Sequence, residues 1–410
     1  MAATTTGAPA PAIEVEGFRV FRDRARLELR PLTLLYGRNQ AGKSTLLRLL
    51  PTLADAIFGA VPVFDITSSA LMGASFKELG WLGPRPTGSP SIRLEASDQH
   101  SYIEIQLTED RGIVPNRVRV GSGSKDYADI LLAGDSSRTA SGFHAPYAGR
   151  MGTNEDWQGQ IEFASMLPAG LLNTAMRRIA AVRSAFSKLE RVQWLAASRP
   201  GLAEALRSSR CCRPDGIDLP NLLADRKNVV DLASSWLSES NILGESVSIG
   251  QDASGSYRLE LRRAGNESLP NHLSGEGTRW LLPILLCACW SELAGEDGPT
   301  MLAIEEMESR LHPNLQIALF ERLLKTVAAG VPCVLETHSI YLLRRAQLAV
   351  ANGELSPQDL AIYWVERDGH AAQVRRIEVL SDGTLQGWNP ETFEEEQQLS
   401  REIFEARWKV

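Results

Sequence analysis

The stretch GRNQAGKST, Gly37 to Thr45, lies between the apolar runs LTLLY and LLRLL and constrains the fold more than any other part of the chain. Gly37 and Gly42 bracket four residues and are followed by Lys43 and Ser44, the GxxxxGK[ST] spacing, entered from a strand and left through a helix. Glycines at those places let the backbone turn its N–H groups toward an anion at the positive end of the helix. Gly37, Arg38, Asn39, Gln40, Ala41, Gly42, Lys43, Ser44 and Thr45 then form a phosphate cradle. In it Lys43 reaches the outer phosphates of a nucleotide such as ATP, and the Ser44 hydroxyl ligates Mg2+.

A strand feeding such a loop belongs to an α/β sheet, and the second half of the chain supplies the alternation. From NHLSGEGTRW onward an apolar helix runs through Trp290, followed by the strand TMLAIEE, the helix PNLQIALFERLLKTVAAG and the strand PCVLETH. The helix after Pro313 carries Leu315, Leu319, Leu323 and Val327 at i+4 steps and stops at Gly330. Before the loop, IEVEGFRVFRDRARLELRPLTLLYG reads as three strands broken at RDR and RP. After it, the leucines of KSTLLRLLPTLADAIFG have helical spacing, with Pro51 expected to kink or break the helix.

SIRLEASD and YIEIQLTED read as a hairpin, and Gly121 to Gly159, rich in Gly and Ser, as loop. Met166 to Arg210 reads as helical, with Arg177, Arg178, Arg183, Lys188 and Arg191 among apolar residues; RKNVVDLASSWLSESNIL reads as another helix. SVSIGQ and SYRLELRR form a strand pair. LAIYWVERD and QVRRIEVL form a closing hairpin, followed by the acidic helix PETFEEEQQLSREIFEARW. The expected segments are a disordered leader at 1–12, an N-terminal lobe with the loop at 13–120 and a loop-rich and helical insert at 121–240. A C-terminal lobe at 241–350 and a hairpin with a helix at 351–410 complete the chain.

Composition narrows the classes. The 410 residues are 43% hydrophobic, enough for a substantial core, and no window is apolar enough to cross a membrane. The start MAATTTGAPAPA lacks the basic and apolar regions of a signal peptide, so a cytoplasmic protein is expected. Net charge is -7, which gives no overall pull toward nucleic acid, although local basic patches remain. The five cysteines contain no CxxC pair and read as buried small hydrophobes.

A nucleotide-hydrolysing loop needs a carboxylate on a neighbouring strand for Mg2+ and a group that orients the attacking water. In MLAIEE the strand ends in two carboxylates on opposite faces; Glu305 is assigned to the metal and Glu306 to the water. PCVLETH ends in His338, placed to sense the γ-phosphate by a hydrogen bond.

Leu273, Ser274 and Gly275 in HLSGEGTRWLLPILL resemble the LSGGQ signature of ABC-type ATPases, with Glu276 and Gly277 in the last two places. The order P-loop, LSG, acidic strand, His strand is similar to the ABC-type branch that includes RecF, SMC proteins and OLD-family ATPases. IEEMESRLHP, Ile304 to Pro313, looks like the OLD-type IEEPExHLHP. The opening GFRVFRDRARLELRPLTLLYGRNQAGKSTLL and the closing DGTLQGWNP resemble that group's ends, and 110–221 is least covered. The resemblance implies an ABC-type P-loop ATPase head: a mixed or parallel sheet flanked by helices, an antiparallel β subdomain and a helical insert. It also implies a homodimer or higher oligomer with ATP sandwiched between heads, where Ser274, Gly275 and Glu276 act in trans and Leu311 and His312 lie beside the dimer axis.

The chain departs from the pattern in three places. No Q-loop glutamine is found, with GASFKELG in its place; Met307 replaces the usual proline; and the stretch after ETHS is too short for a Toprim nuclease. A separately encoded effector, controlled in antiphage defence, is therefore the expected output. The alternatives are a RecF-like DNA-binding ATPase that sets Arg177 to Arg191 against phosphates, and a slow nucleotide-gated scaffold. An SMC-type coiled-coil arm and a transporter head are not expected.

Overall fold

A computed structural model describes residues 10–59, 69–71, 73–81, 83, 88–97, 100–110, 112–139, 142–152, 155–163, 165–197, 211–239, 243–251, 255–262, 268–293, 295–388 and 402. From the N-terminus come β1 (Ala12–Glu16), β2 (Ala25–Glu28), β3 (Leu32–Gly37), α1 (Lys43–Phe58) and the short α2 (Phe76–Leu79). A run of strands follows: β4 (Ser91–Glu95), β5 (Ser101–Glu109), β6 (Ile113–Ser122), β7 (Lys125–Leu132), β8 (Ser137–Thr139), β9 (Gly142–Met151) and β10 (Glu155–Phe163). Then come α3 (Asn173–Ala185), β11 (Val192–Leu195), α4 (Leu219–Leu223), α5 (Lys227–Glu239), β12 (Ser246–Gln251), β13 (Tyr257–Arg262) and β14 (Ser268–Pro270). The chain continues with α6 (Glu276–Leu293), β15 (Met301–Glu305), α7 (Pro313–Ala328), β16 (Cys333–Glu336) and α8 (Ile340–Ala351). It closes with β17 (Leu360–Asp368), β18 (Ala371–Val379) and β19 (Leu385–Gln386).

Two large sheets organise these elements. The first has the order β11-β15-β16-β3-β17-β18-β19, parallel from β11 to β17 and antiparallel beyond. Its central strands are buried on both faces, as parallel strands covered by crossover helices must be. Alternate residues feed different cores. Leu35, Ala303 and Val334 join α1 and α3 on one side, while Leu34, Ile304 and Leu335 join α5, α6, α7 and α8 on the other. β12, β13 and β14 form a small antiparallel sheet on that second side. This is the expected α/β P-loop head with a mixed sheet flanked by helices.

The second sheet runs β10-β9-β7-β6-β5-β4-β1-β2, with β8 paired to β9. One face, including Ile13, Ile92, Ile103, Val118 and Ile130, packs onto α1 and α3, so those helices fill the space between the two sheets. The other face is polar. A single cross-strand row of Arg26, Glu14, Arg93, Glu104, Arg119, Asp129, Arg150 and Asp156 alternates in sign across eight strands. Ion pairs along it include Arg26–Glu14 at 2.7 Å, Arg93–Glu104 at 3.4 Å and Arg119–Glu104 at 3.4 Å. Opposite charges facing each other across strands contribute roughly 0.2–1 kcal/mol per pair and penalise a slipped register.

Several expectations change. Gly121 to Gly159 is largely sheet, because its short and charged residues occupy the polar face while Ala128, Ile130, Phe143, Ala145 and Tyr147 line the core. α1 runs through Pro51, with the Thr52 hydroxyl donating to the Arg48 carbonyl at 2.9 Å. Only Asn173–Ala185 of the basic stretch is α-helix; Val192–Leu195 is the edge strand of the parallel sheet, and 198–210 lies outside the described residues. α8 is an additional helix, and the closing acidic helix also falls almost wholly outside the described residues. Among the described residues no helix is long and apolar enough to cross a membrane.

Candidate functional site

β3 ends at Gly37, whose φ of 147° and close approach to the Val365 carbonyl leave no room for a Cβ. The chain then turns through Arg38, Asn39 and Gln40, all exposed, to Gly42 at φ 111°, packed on Val20 and Phe21 just before α1. The first turn of α1 contains no acidic residue of its own, so the positive end of the helix dipole is directed at the loop mouth. Lys43 is 3% exposed and folds back over the loop, its ammonium 3.0 Å from the carbonyls of both Gly37 and Arg38. Burial lowers its pKa, opposed by Glu336, Glu306 and Glu308.

Carboxylates crowd this ammonium. The Ser44 hydroxyl donates to Glu336 Oε1 at 2.8 Å, and Lys43 Nζ lies 3.9 Å from the same oxygen. Glu336 Oε2 is buried without a hydrogen-bond partner, and burial, with Glu305 nearby, raises the carboxyl pKa to about 7. Glu306 follows the end of β15 at φ 43°, a left-handed conformation that a non-glycine residue holds only when its surroundings impose it. Its N–H donates to the Glu336 carbonyl at 2.8 Å, which fixes the bend. Met307, in the place of the proline, is fully buried.

Glu305, expected from the sequence at the metal, is engaged by other groups of the chain. The structure sets both of its oxygens against donors other than Ser44: Arg48 Nε at 2.5 Å and Nη2 at 2.9 Å, Trp194 Nε1 at 3.1 Å and the Ala197 N–H at 3.0 Å. Arg48 sits one helical turn beyond Ser44 and also stacks over Trp194. The carboxylate facing the Ser44 hydroxyl belongs to Glu336, a residue that sequence reasoning passed over in favour of its neighbour His338.

His338 stands at the solvent-facing rim. Crowding by surrounding protein, with the Lys43 charge nearby, lowers its pKa to about 4, so the ring is neutral at pH 7. Its backbone N–H donates to Glu308 Oε1 at 2.5 Å. Glu308 was also missed. Its Oε2 is buried without a partner and burial raises its pKa, so a third carboxylate backs the site. The sequence signal was available in both cases: Glu308 and Glu336 each lie two residues from a residue already singled out.

The signature residues form a separate group. The Ser274 hydroxyl closes onto the Asn271 carbonyl at 2.7 Å, and Gly275 faces open space. Glu276 begins α6 and pairs with Arg310 at 2.7 Å. Arg310, at φ 62°, stacks over Trp280, while His312 caps α7 by accepting from the Asn314 N–H at 3.4 Å. The signature is thus tied to the segment after the acidic strand and turned outward at Gly275.

Beside Thr45 opens a cavity of about 510 Å³, lined by Arg19, Leu71, Glu78, Trp81, Arg367 and His370 among others. Arg19, at φ 50°, donates through Nη2 to the Leu71 carbonyl at 2.9 Å; its Nε and the Trp81 Nε1 have no hydrogen-bond partner. GASFKELG, found where a Q-loop was sought, forms part of this wall.

Most of the basic residues assigned to nucleic acid are engaged within the chain. Arg178 donates to Ser101 Oγ at 3.1 Å, Arg183 stacks over Phe58, Lys188 donates to the Gly330 carbonyl at 2.9 Å and Arg191 to the Gly298 carbonyl at 2.6 Å. Arg177 is exposed. The five cysteines are free thiols, four of them buried. Among the described residues no group of three or more His, Cys, Asp or Glu forms a metal cage. A cation bound with a nucleotide needs no such cage. Mg2+ in these loops takes one or two protein oxygens, phosphates and water, and the Ser44 hydroxyl with a buried, underused carboxylate oxygen fits that donor set.

Residues 197–344 match the family described as "AAA domain, putative AbiEii toxin, Type IV TA system". No curated protein matches the chain. Solved structures with similarity include an SMC head bound to the C-winged helix domain of ScpA, at 11% identity and TM-score 0.48, covering 90% of this chain and 98% of that one. The SMC head domain from Thermotoga maritima gives 13% identity and TM-score 0.41, with coverages of 90% and 98%. An Smc head with an extended coiled coil, bound to the C-terminal domain of ScpA derived from Pyrococcus furiosus, gives 9% and 0.49, with coverages of 96% and 99%.

Proposed function

We propose that this chain is an Mg2+-dependent, ATP-hydrolysing ABC-type head that closes as a dimer around nucleotide and controls a separate effector. The observation that carries the reading is the convergence of Lys43, Ser44, Glu306, Glu336 and His338 on the mouth of one phosphate loop. Loop N–H groups and Lys43 hold the phosphates, and Lys43 exchanges its two carbonyl contacts for phosphate oxygens. Mg2+, which the Ser44 hydroxyl and a neighbouring carboxylate would hold, would supply neutralisation of the phosphate charge. Glu306, held at the strand end by its fixed bend, orients and deprotonates the attacking water, and neutral His338 donates a hydrogen bond toward the γ-phosphate. The cavity beside Thr45 takes the base and ribose, for which the Trp81 indole and Arg19 guanidinium offer a flat face and unused N–H groups.

Gly275 and the outward-turned start of α6 suit a phosphate presented by another copy, with Glu276 beside them, which is why a dimer is favoured. The matched family's description as a putative toxin of a Type IV TA system supports a role in cellular defence with a partner protein, as does the likeness of IEEMESRLHP to the OLD-type strand. We place the protein in the cytoplasm on that reading. Glu306→Gln tests it: ATP turnover should be lost while ATP binding remains and an ATP-dependent dimer accumulates in sedimentation velocity. Unchanged turnover in that variant removes Glu306 from the role.

A further inference from the structure

We propose that Glu336, at the end of β16, is the protein carboxylate that meets the divalent cation together with Ser44, and that Glu305 is withdrawn from the cation by Arg48. The inference rests on the reading above that the loop holds a metal–nucleotide complex.

Strand order gives the first argument. β16 lies between β15 and β3, and Glu305 and Glu336 are direct register partners, as are Glu336 and Leu35. With strands about 4.8 Å apart, Glu305 starts one full strand further from the loop than Glu336. The second argument is the state of the oxygens. Glu336 is 4% exposed, one oxygen accepts from the Ser44 hydroxyl at 2.8 Å, and the other is buried without a partner. A buried carboxylate oxygen lacking a donor is costly unless a charge arrives to meet it. Lys43 is 3.9 Å away, on the side where the phosphates would lie. Ser44 and Glu336 would hold a divalent cation, whose charge would meet the free carboxylate oxygen.

Glu305 is the opposite case, with four donors on its two oxygens. Turning it toward the loop would break both of its hydrogen bonds to Arg48 as well as those from Trp194 and Ala197. The Arg48–Glu305 pair joins the loop helix to β11 through Trp194 and Ala197, a bracing role rather than a ligating one. Glu305 thus occupies the usual acidic position while the ligating one has moved to the adjacent strand.

The test uses the full chain and a fluorescent ATP analogue, titrated in Mg2+ and in EDTA, with Mn2+ binding followed in parallel by electron paramagnetic resonance. In the wild type Mg2+ should tighten binding by roughly tenfold or more. In Glu336→Gln that ratio should fall toward 1 with the affinity in EDTA little changed, and the bound Mn2+ signal should weaken; Glu336→Asp should recover part of both. Glu305→Gln should keep the ratio and the Mn2+ signal while lowering the melting temperature. Loss of the ratio in Glu305→Gln, or its survival in Glu336→Gln, overturns the proposal. If Glu305→Gln does not fold, Arg48→Lys, which loosens the brace, must keep the ratio. A wild type that binds no nucleotide in either condition instead defeats the functional reading, and this inference falls with it.

Discussion

The two large sheets place their charges in contrasting ways. In the parallel sheet the strands are mostly apolar and acids stand at their ends: Glu305 with Glu306 after β15, Glu336 on β16, and the exposed Glu366 and Asp368 on β17; Glu336 faces the loop. In the antiparallel sheet the charges lie mid-strand and form a row that crosses every partner. The first pattern leaves a Glu336 oxygen without a donor beside the Ser44 hydroxyl and the Lys43 ammonium; the second sets each charge opposite one of the other sign on the neighbouring strand. An unmet carboxylate oxygen next to a phosphate loop is what a ligand can satisfy, whereas a row of facing opposite charges specifies register.

The largest expected effect tests Glu305, a buried acid of the parallel sheet whose two oxygens are both engaged. Arg48→Ala leaves Glu305 buried without its main partner and should cost about 3–5 kcal/mol of stability in denaturant unfolding. A cost below about 1 kcal/mol would mean that the brace is absent in solution and the contrast is weaker than drawn.

Next comes a substitution that should remove function without harming the fold. Lys43→Ala should reduce ATP turnover by about 100- to 1,000-fold through lost phosphate stabilisation, with an unfolding midpoint close to wild type. The converse belongs to the charge row. Glu104→Lys sets a cation between Arg93 and Arg119 and should cost about 2 kcal/mol while nucleotide affinity stays unchanged. An altered affinity would show that the antiparallel sheet reaches the site energetically.

The smallest effect is at His338. With its pKa lowered to about 4, the folded chain resists protonation while an unfolded histidine accepts a proton near 6.5. Any stability linked to this ring is therefore complete above about pH 6.5 and lost as the pH falls toward 4. Its imidazole resonances should titrate well below the ordinary midpoint, and turnover should show no His338 inflection between pH 6 and 8. A midpoint near 6.5 would place the ring in free solvent, away from Lys43.

These contrasts also explain which parts were legible in the sequence. LTLLY, MLAI and CVL announce doubly buried strands because nearly every residue is apolar, Thr33 excepted, and each is followed at once by chemistry-bearing residues. KDYADILL and its neighbours hide the antiparallel sheet, since half of the positions serve a polar face and alternation is diluted by alanine and glycine. The row of alternating charge exists only once the pairings are known; no local window contains it. Glu336 sits in LETH beside the more conspicuous histidine, and no local window shows that the Glu305 carboxylate accepts from Arg48 in a distant segment. Pro51 misled for the ordinary reason that helix propensity is weaker than packing from both sides.

Trp388, in the last described turn, sits edge-on to Tyr36 at 5.6 Å and to Trp364 at 5.5 Å, directly under the residue that precedes Gly37. The far end of the chain therefore carries an optical probe of the loop. A displacement of Tyr36 changes what surrounds the Trp388 indole, and with it the emission colour. Among the nine tryptophans, this is one whose light reports on the strand that enters the phosphate cradle.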